Sequence, residues 1–115
     1  KLARSSKGAW KFTTLYAFKG TPDAASPYGG LIADKAGDLF GTTYYGGTNG
    51  VGTVFELQTK GNGRYRERVL YSFLGGSDGS SPTSTLALAG SNLYGTSSAG
   101  GASCDCGTIF NVNAK

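Results

Sequence analysis

The sequence LFGTTYYGG at residues 39–47, followed by GTVF at residues 52–55, decides the fold of this chain. It returns as LYGTSSAGG at residues 93–101, followed by GTIF at residues 107–110. Thr, Tyr, Val and Phe favour strands, and the glycines that frame them favour turns. The chain therefore contains two copies of one glycine-framed strand pair.

The similarity extends over whole units of the chain. An offset of 55 residues aligns LYAF at residues 15–18 with LYSF at residues 70–73. Agreement at many spaced positions is the signature of a tandem repeat. We therefore divide the chain into the tail end of a preceding repeat and a linker at residues 1–7, a first unit at residues 8–62 and a second unit at residues 63–115.

The composition predicts an all-β protein. The chain has 20 glycines and no methionine among its 115 residues, and a glycine inside a helix costs about 1 kcal/mol relative to alanine. Apolar residues make up 38% of the chain and charged residues 16%, so Ser, Thr, Asn and Gly must cover much of the surface. Such a neutral, hydroxyl-rich surface is typical of extracellular β-proteins.

Each unit is predicted to form one four-stranded blade of a β-propeller-like repeat. A single blade cannot bury both faces of its sheet, and a propeller needs about four to eight blades. A β-trefoil and a solenoid are alternatives that fit a four-stranded unit less well. In the first unit we expect strands at about Trp10–Phe18, Gly30–Ala33, Asp38–Tyr44 and Thr53–Gln58.

The remaining blades can come from two sources. In the register of the repeat, residues 1–2 align with residues 56–57, within the last strand of a unit. Either the chain is a piece of a longer array, or identical copies assemble so that each supplies two blades. Three such copies would close a six-bladed ring by rotational symmetry. The expected partners are further repeats of the same chain or identical copies in a homo-oligomer or polymer.

The sequence offers little support for enzymatic chemistry. It contains no histidine, which removes the commonest general base and metal ligand. Asp34 and Asp38 are the nearest approach to the carboxylate pair of a glycosidase, but they flank a tight turn. Asp23 and Asp78 recur at equivalent positions, which favours a turn-capping role. We expect no catalytic residues, no cofactor and no metal site.

The two cysteines, Cys104 and Cys106, lie in a turn where the second unit has gained a residue. Two thiols are too few for a closed zinc site, and in an exported protein they would oxidise. We favour a local disulfide that pins this hairpin. Free thiols and a bond to another chain are the alternatives.

Three arginines, Arg64, Arg66 and Arg68, alternate along the predicted first strand of the second unit, so they point to one face. A basic strip can attract nucleic acid or another anionic polymer. It can also be a solvated face that keeps a strand edge from pairing with other chains. The first unit has only Lys11 as a basic residue at the matching positions, so we favour the solvated face and expect no nucleic acid.

Most aromatic residues recur in both units and are predicted to form the core between blades. Tyr44 and Tyr45 do not recur, and they lie beside two glycines. They are candidates for contact with a ligand or partner, such as stacking on a sugar, and packing in the core or at its rim is the alternative. Trp10 and its counterpart Tyr65 are included as further contact candidates.

The spaced pattern resembles a known family, the GloVer repeat of Gloeobacter and Verrucomicrobia, found in exported "choice-of-anchor" tandem-repeat proteins. The resemblance covers nearly all of residues 8–112. It depends on Leu-Tyr-x-Phe, a Gly/Asp turn followed by Pro, Leu-x-x-Asp-x-x-Gly-Asp-Leu-Phe-Gly-Thr-Thr, Gly-Gly and Gly-Thr-Val-Phe-Glu-Leu. It implies a bacterial, exported, surface-anchored protein with a propeller-like repeat region, and it supplies no catalytic motif.

The expected function is that of a non-enzymatic extracellular repeat segment in bacterial surface structure or adhesion. The alternative is a carbohydrate-binding propeller whose pockets between blades hold glycans. No apolar run approaches the roughly 18 residues that a membrane-spanning helix needs, so we expect no span in this segment.

Overall fold

The computed structural model describes all 115 residues, which form twelve short β-strands and no helix. The prediction of an all-β protein is confirmed. The strands are β1 (Leu2–Arg4), β2 (Trp10–Phe12), β3 (Ala24–Ala25), β4 (Ile32–Ala33), β5 (Leu39–Thr43), β6 (Tyr45–Gly46), β7 (Thr53–Gly61), β8 (Arg64–Ser72), β9 (Ser80–Pro82), β10 (Ala87–Ala89), β11 (Asn92–Ala99) and β12 (Thr108–Asn113).

The first sheet has the strand order β4-β5-β7-β8, and all of its pairs are antiparallel. Its central strand, β7, pairs with β5 from Leu39↔Leu57 to Thr43↔Thr53. On its other side β7 pairs with β8 along almost its whole length. Since β8 comes from the second unit, this sheet joins the two units through backbone hydrogen bonds.

The second sheet repeats this plan within the second unit. Its order is β10-β11-β12, and β9 pairs with the end of β11. Two small sheets complete the fold: β1 pairs with β2, and β3 pairs with β6.

Residues 8–62 do not form one blade by themselves, contrary to the expected arrangement of strands. The first strand of each unit pairs with the strand that precedes it in the chain. In the first unit β2 pairs with β1, and in the second unit β8 pairs with β7. The first sheet therefore draws its outermost strand from the second unit, and the sequence boundary between residues 62 and 63 lies inside the β7–β8 hairpin.

The first strand also differs in length between the units. The predicted strand Trp10–Phe18 is observed only at Trp10–Phe12, whereas its counterpart β8 has nine residues. The difference in strand length follows from the length of the partner strand. β8 lies along the nine-residue β7, whereas β2 lies along the three-residue β1. A strand forms only where another strand satisfies its backbone groups.

The predicted turn between the second and third strands is present and connects β4 to β5. The Asp34 N–H donates to the Asp38 carbonyl oxygen, and the Gly37 N–H donates to the Asp34 carbonyl oxygen. The Asp34 carboxylate accepts hydrogen bonds from the N–H groups of Ala36 and Asp38 at 2.9 and 3.0 Å. This aspartate is therefore a turn former, as the sequence predicts.

The hydrophobic core lies between the two sheets. Phe40 and Val54 project from the first sheet and pack with buried side chains of the second unit. Polar contacts cross the same boundary: the Gly30 N–H donates to the Thr85 hydroxyl at 3.1 Å, and the Thr42 hydroxyl donates to the Ser84 carbonyl oxygen at 3.3 Å. The second unit contributes Phe73, Leu86 and Leu93 to this core.

The molecule is elongated, with principal extents of 56 × 29 × 21 Å. Its two larger sheets pack against each other through the core described above. The chain by itself forms antiparallel sheets and does not close a ring. It has no helix of the length and apolar character needed to cross a bilayer.

Phe73→Ala should lower the free energy of unfolding by about 3–5 kcal/mol, because it opens a cavity in the core between the sheets. The Phe73 side chain is only 1% exposed there. Denaturant unfolding followed by circular dichroism measures the change. Phe18→Ala is the matched control, since Phe18 occupies the equivalent position but is only half-buried. Equal losses for the two variants would contradict the leading role of the contact between sheets.

Candidate functional site

A cluster of three tyrosines, Tyr28, Tyr44 and Tyr45, lies on the surface of the first unit; we call it the tyrosine cluster. The rings of Tyr28 and Tyr44 have centroids 5.5 Å apart with an interplanar angle of 74°. The rings of Tyr44 and Tyr45 have centroids 4.6 Å apart at 79°. Both pairs are edge-to-face contacts, which aromatic rings favour.

Local backbone structure brings the three rings together. Neighbouring residues in a regular strand point to opposite faces, but the chain bends at Tyr44, between β5 and β6. The Tyr44 N–H donates to the Ser26 carbonyl oxygen at 2.9 Å, which holds the bend against the segment before Tyr28. β6 pairs with β3, with Tyr45 opposite Ala25. Two segments distant in sequence thus present one aromatic surface.

The tyrosine cluster is exposed and specific to the first unit. Tyr28 is 67% exposed and Tyr45 is 52% exposed, which is high for large aromatic side chains in contact with one another. The equivalent positions of the second unit are Thr83, Ser98 and Ala99. The repeat framework therefore does not require these tyrosines. An exposed platform of aromatic faces with hydroxyl groups can stack on a sugar ring or pack against a protein.

A second recurring arrangement pairs a tyrosine with an aspartate in each unit. The Tyr16 hydroxyl donates to Asp23 Oδ2 at 2.8 Å, and the Tyr71 hydroxyl donates to Asp78 Oδ2 at 2.7 Å. The same carboxylate oxygen of Asp78 accepts from the Leu74 N–H at 2.8 Å. Each aspartate closes a turn after the first strand, so the turn-capping role predicted for Asp23 and Asp78 is confirmed.

These pairs shift the ionisation of their members. Desolvation alone would raise the pKa of Asp78, but hydrogen bonds from the Leu74 N–H and the Tyr71 hydroxyl outweigh it and lower the pKa below its ordinary value. The same balance lowers the pKa of Asp23. Desolvation and the hydrogen bond to Asp23 raise the pKa of Tyr16 to about 12. The arrangement keeps the carboxylates ionised and the phenols neutral, which suits a structural hydrogen bond.

Comparison with protein families identifies the chain. The sequence model of the Gloeobacter/Verrucomicrobia repeat matches residues 3–115. This chain belongs to that family. Comparisons with curated proteins and with solved structures find no significant match. The predicted resemblance to the GloVer repeat is therefore confirmed.

The other contact candidates of this Gloeobacter/Verrucomicrobia repeat lie outside the tyrosine cluster. Trp10 is exposed on β2 and is paired with Arg4, and Tyr65 is half-buried on β8, where it is paired with Thr59. Neither takes part in the edge-to-face contacts of the cluster. Sequence reasoning missed Tyr28, although its replacement by Thr83 in the second unit is the same signal that singled out Tyr44 and Tyr45.

The arginine strip lies on one face of β8, as predicted. Arg64, Arg66 and Arg68 are exposed, and the residues between them are half-buried. Arg68 Nη2 lies 2.8 Å from Glu56 Oε2 and donates to the Ala114 carbonyl oxygen at 3.3 Å. Arg68 thus connects the edge strand of the first sheet to the segment that follows β12 in the second unit.

Glu67 lies on the opposite face of β8 from the arginine strip. Desolvation raises its pKa, and the negative charge of Asp23 in the first unit raises it further. The carboxylates of Asp34 and Asp38 are occupied by local backbone contacts, with Asp38 Oδ1 accepting from the Thr59 N–H at 2.7 Å. No group of three or more His, Cys, Asp or Glu side chains lies close enough to hold a metal ion.

Cys104 and Cys106 are joined by a disulfide in the turn between β11 and β12, with their Cα atoms 5.2 Å apart. The turn also carries Asp105 at a positive φ of 56°. The Asp105 carboxylate accepts a hydrogen bond from the Gly100 N–H. The bond therefore closes a very short loop at the end of the second sheet.

Asp78→Asn should lower the free energy of unfolding at neutral pH by about 1–2 kcal/mol, because it removes a charged acceptor of two hydrogen bonds. The folded pKa of Asp78 is lowered, so its stabilisation is complete above the unfolded pKa of about 3.9 and is lost as the pH falls through the folded pKa. Urea unfolding at a series of acidic pH values should therefore show a shallower decline for the variant.

Tyr71→Phe is the control for this measurement. It removes one hydrogen bond to Asp78 but keeps the carboxylate and its contact with the Leu74 N–H. Its pH dependence should lie between those of the parent and Asp78→Asn. Parallel pH profiles for the parent and Asp78→Asn would show that the pair does not contribute to acid sensitivity.

Proposed function

We propose that this chain is a non-enzymatic repeat segment of an exported bacterial protein, with a role in surface structure or adhesion. In this proposal the sheets are blades of a β-propeller-type array that further repeats or identical copies complete. The observation that carries it is the strand exchange between units, in which β8 of the second unit completes the sheet of the first.

Strand exchange of this kind supports a role in building extended structures. The first unit relies on the second to complete its sheet and to cover one of its apolar faces. In an array built on this relation, stability would accumulate from unit to unit. The elongated shape, with extents of 56 × 29 × 21 Å, fits a segment of such an array. The hydroxyl-rich, weakly charged surface and the disulfide between Cys104 and Cys106 suit an extracellular location.

Antibodies against the chain should label intact cells of the bacterium that produces it, and protease added from outside should remove the label. Fluorescence microscopy and flow cytometry measure both effects. A cytoplasmic protein of the same cells is the control, because it should be labelled only after permeabilisation. Labelling of this chain that also requires permeabilisation would contradict the surface role.

The second candidate function is carbohydrate binding, and the tyrosine cluster favours it. Sugar rings present C–H groups to aromatic faces, and hydroxyl groups beside the faces can hydrogen-bond the sugar. A cleft between the two sheets, with Asp34 and Asp38 on one wall and Ser91 on the other, provides further polar groups. The tyrosine cluster is the stronger of the two candidate sites. The second unit folds without tyrosines at these positions, so the fold does not account for their presence in the first unit.

A glycan array should detect sugar binding if this second function is correct, and the triple variant Tyr28→Thr, Tyr44→Ser, Tyr45→Ala should weaken it. These substitutions copy the second unit, so the fold should tolerate them, and titration calorimetry should show affinity at least about tenfold weaker. Trp10→Ala is the control, because it removes an exposed aromatic residue outside the cluster. Absence of any glycan binding by the parent would leave the purely structural role.

A further inference from the structure

The packing between the two sheets defines two complementary surfaces. The rear surface of the first sheet consists of Phe40, Thr42, Val54 and Glu56, which alternate with the residues of its opposite face. The front surface of the second sheet consists of Phe73, Leu86 and Leu93. The rear surface of the first sheet packs onto it, and the apolar residues of the two surfaces form the core.

The second sheet has its own rear surface, which is open to solvent. It consists of Tyr94, Thr96, Ile109 and Asn111, which occupy the positions of the four residues just named in the first sheet. Ile109 is 85% exposed, whereas its counterpart Val54 is 0% exposed. A large aliphatic side chain that is this exposed, at a position that is buried in the other unit, marks an uncovered packing surface.

The first sheet has its own front surface, which is also open. It consists of Phe18, Leu31 and Leu39, the counterparts of Phe73, Leu86 and Leu93. Leu31 is 51% exposed, whereas Leu86 is 3% exposed. The chain therefore displays, at opposite ends, the two halves of the interface that it already forms internally.

We propose that the rear surface of the second sheet packs onto the front surface of the first sheet of a second copy of this chain, head to tail. The occupant is a second copy because the chain itself carries a matching front surface and shows in its interior how the two surfaces fit. Such an interface is heterologous, so it generates a closed ring or an open filament according to the rotation between copies. The inference rests on the proposed array function and assigns its partner.

The polar groups match as well as the apolar ones. Inside the chain the Thr42 hydroxyl donates to the Ser84 carbonyl oxygen at 3.3 Å. At the new interface Thr96 takes the place of Thr42, and the carbonyl oxygen of Gly29 takes the place of that of Ser84. Asn111 replaces the charged Glu56, so the contact buries no unpaired charge.

Strand pairing extends the interface. β7 pairs on its outer side with β8, whereas the corresponding edge of β12 has no strand beside it. In the second copy, residues 13–17 are the counterparts of the part of β8 that lies along the start of β7. The end of β12 would take the place of β1, whose three residues are exposed and form three strand pairs with β2. The second copy therefore exchanges its weak β1 contact for a longer strand pair.

A complementation experiment tests the head-to-tail contact. Ile109→Asp blocks the rear surface and leaves the front surface intact, and Leu31→Asp does the reverse. Analytical ultracentrifugation of the parent chain over a range of concentrations should show association. Each variant alone should associate at least about tenfold more weakly. An equimolar mixture of the two variants should form a dimer and nothing larger, because only one intact interface remains.

Controls separate this contact from other causes. Leu74→Lys changes an exposed leucine outside both surfaces to the residue that the first unit has at the same position, Lys19, so it should associate like the parent. Circular dichroism checks folding, and if Leu31→Asp is unfolded, Leu31→Ser replaces it, with the same expected loss of association and the same dimer with Ile109→Asp.

Two outcomes overturn the inference. One is a parent chain that stays monomeric up to about 1 mM, in which case the open surfaces are covered by another repeat or another protein. The other is a mixture of variants that does not form a dimer although the parent associates, which points to a different contact surface. Surface labelling of intact cells is independent of both results, so failure here is distinguishable from failure of the proposed function.

Discussion

The packing of Phe40 and Val54 against Phe73, Leu86 and Leu93 is the contact on which the structure depends. A sheet of four short strands buries little apolar area by itself, and its two faces need separate partners. Here the second unit supplies a cover for the rear face of the first sheet and, through β8, its outermost strand. Backbone pairing and side-chain packing thus cross the same boundary, which makes the two units one cooperative body.

Close side-chain packing on one face of each sheet explains the recurrence of Gly41 and Gly95. A Cβ atom on Gly41 would lie 2.8 Å from both the Phe55 ring and the Leu31 side chain. Gly95 stands in the equivalent place, where a Cβ atom would lie 2.8 Å from Leu86. An aromatic ring from the neighbouring strand crosses over the glycine in each sheet, so any larger residue would push the ring away. The recurrence of these glycines reflects close side-chain approach and not only turn formation.

The two units differ at positions that the repeat framework does not constrain, such as those of the tyrosine cluster. Non-recurrence selected Tyr44 and Tyr45, whose rings contact each other. The same signal applies to Tyr28, which lies in a separate segment and was overlooked. The Tyr44 backbone hydrogen bond to Ser26 brings those segments together. Trp10 and Tyr65 recur as aromatic residues, and they lie at the starts of first strands instead of at a shared surface. Whether a residue recurs in both units therefore distinguishes residues of the repeat framework from residues of a unit-specific surface better than its aromatic character does.

The sequence by itself determined the all-β class, the repeat, and local features such as the turn at Asp34–Gly37 and the caps made by Asp23 and Asp78. The class follows from composition and the repeat from spacing along the chain, and the turn and the caps depend on residues within a few positions of one another. Only the tertiary structure decided which strand completes the first sheet. Trp10–Phe18 and its counterpart have similar strand patterns, yet three residues of one and nine of the other form a strand. Strand formation is a property of a pair, and the partner lies in another unit, outside the reach of any local pattern.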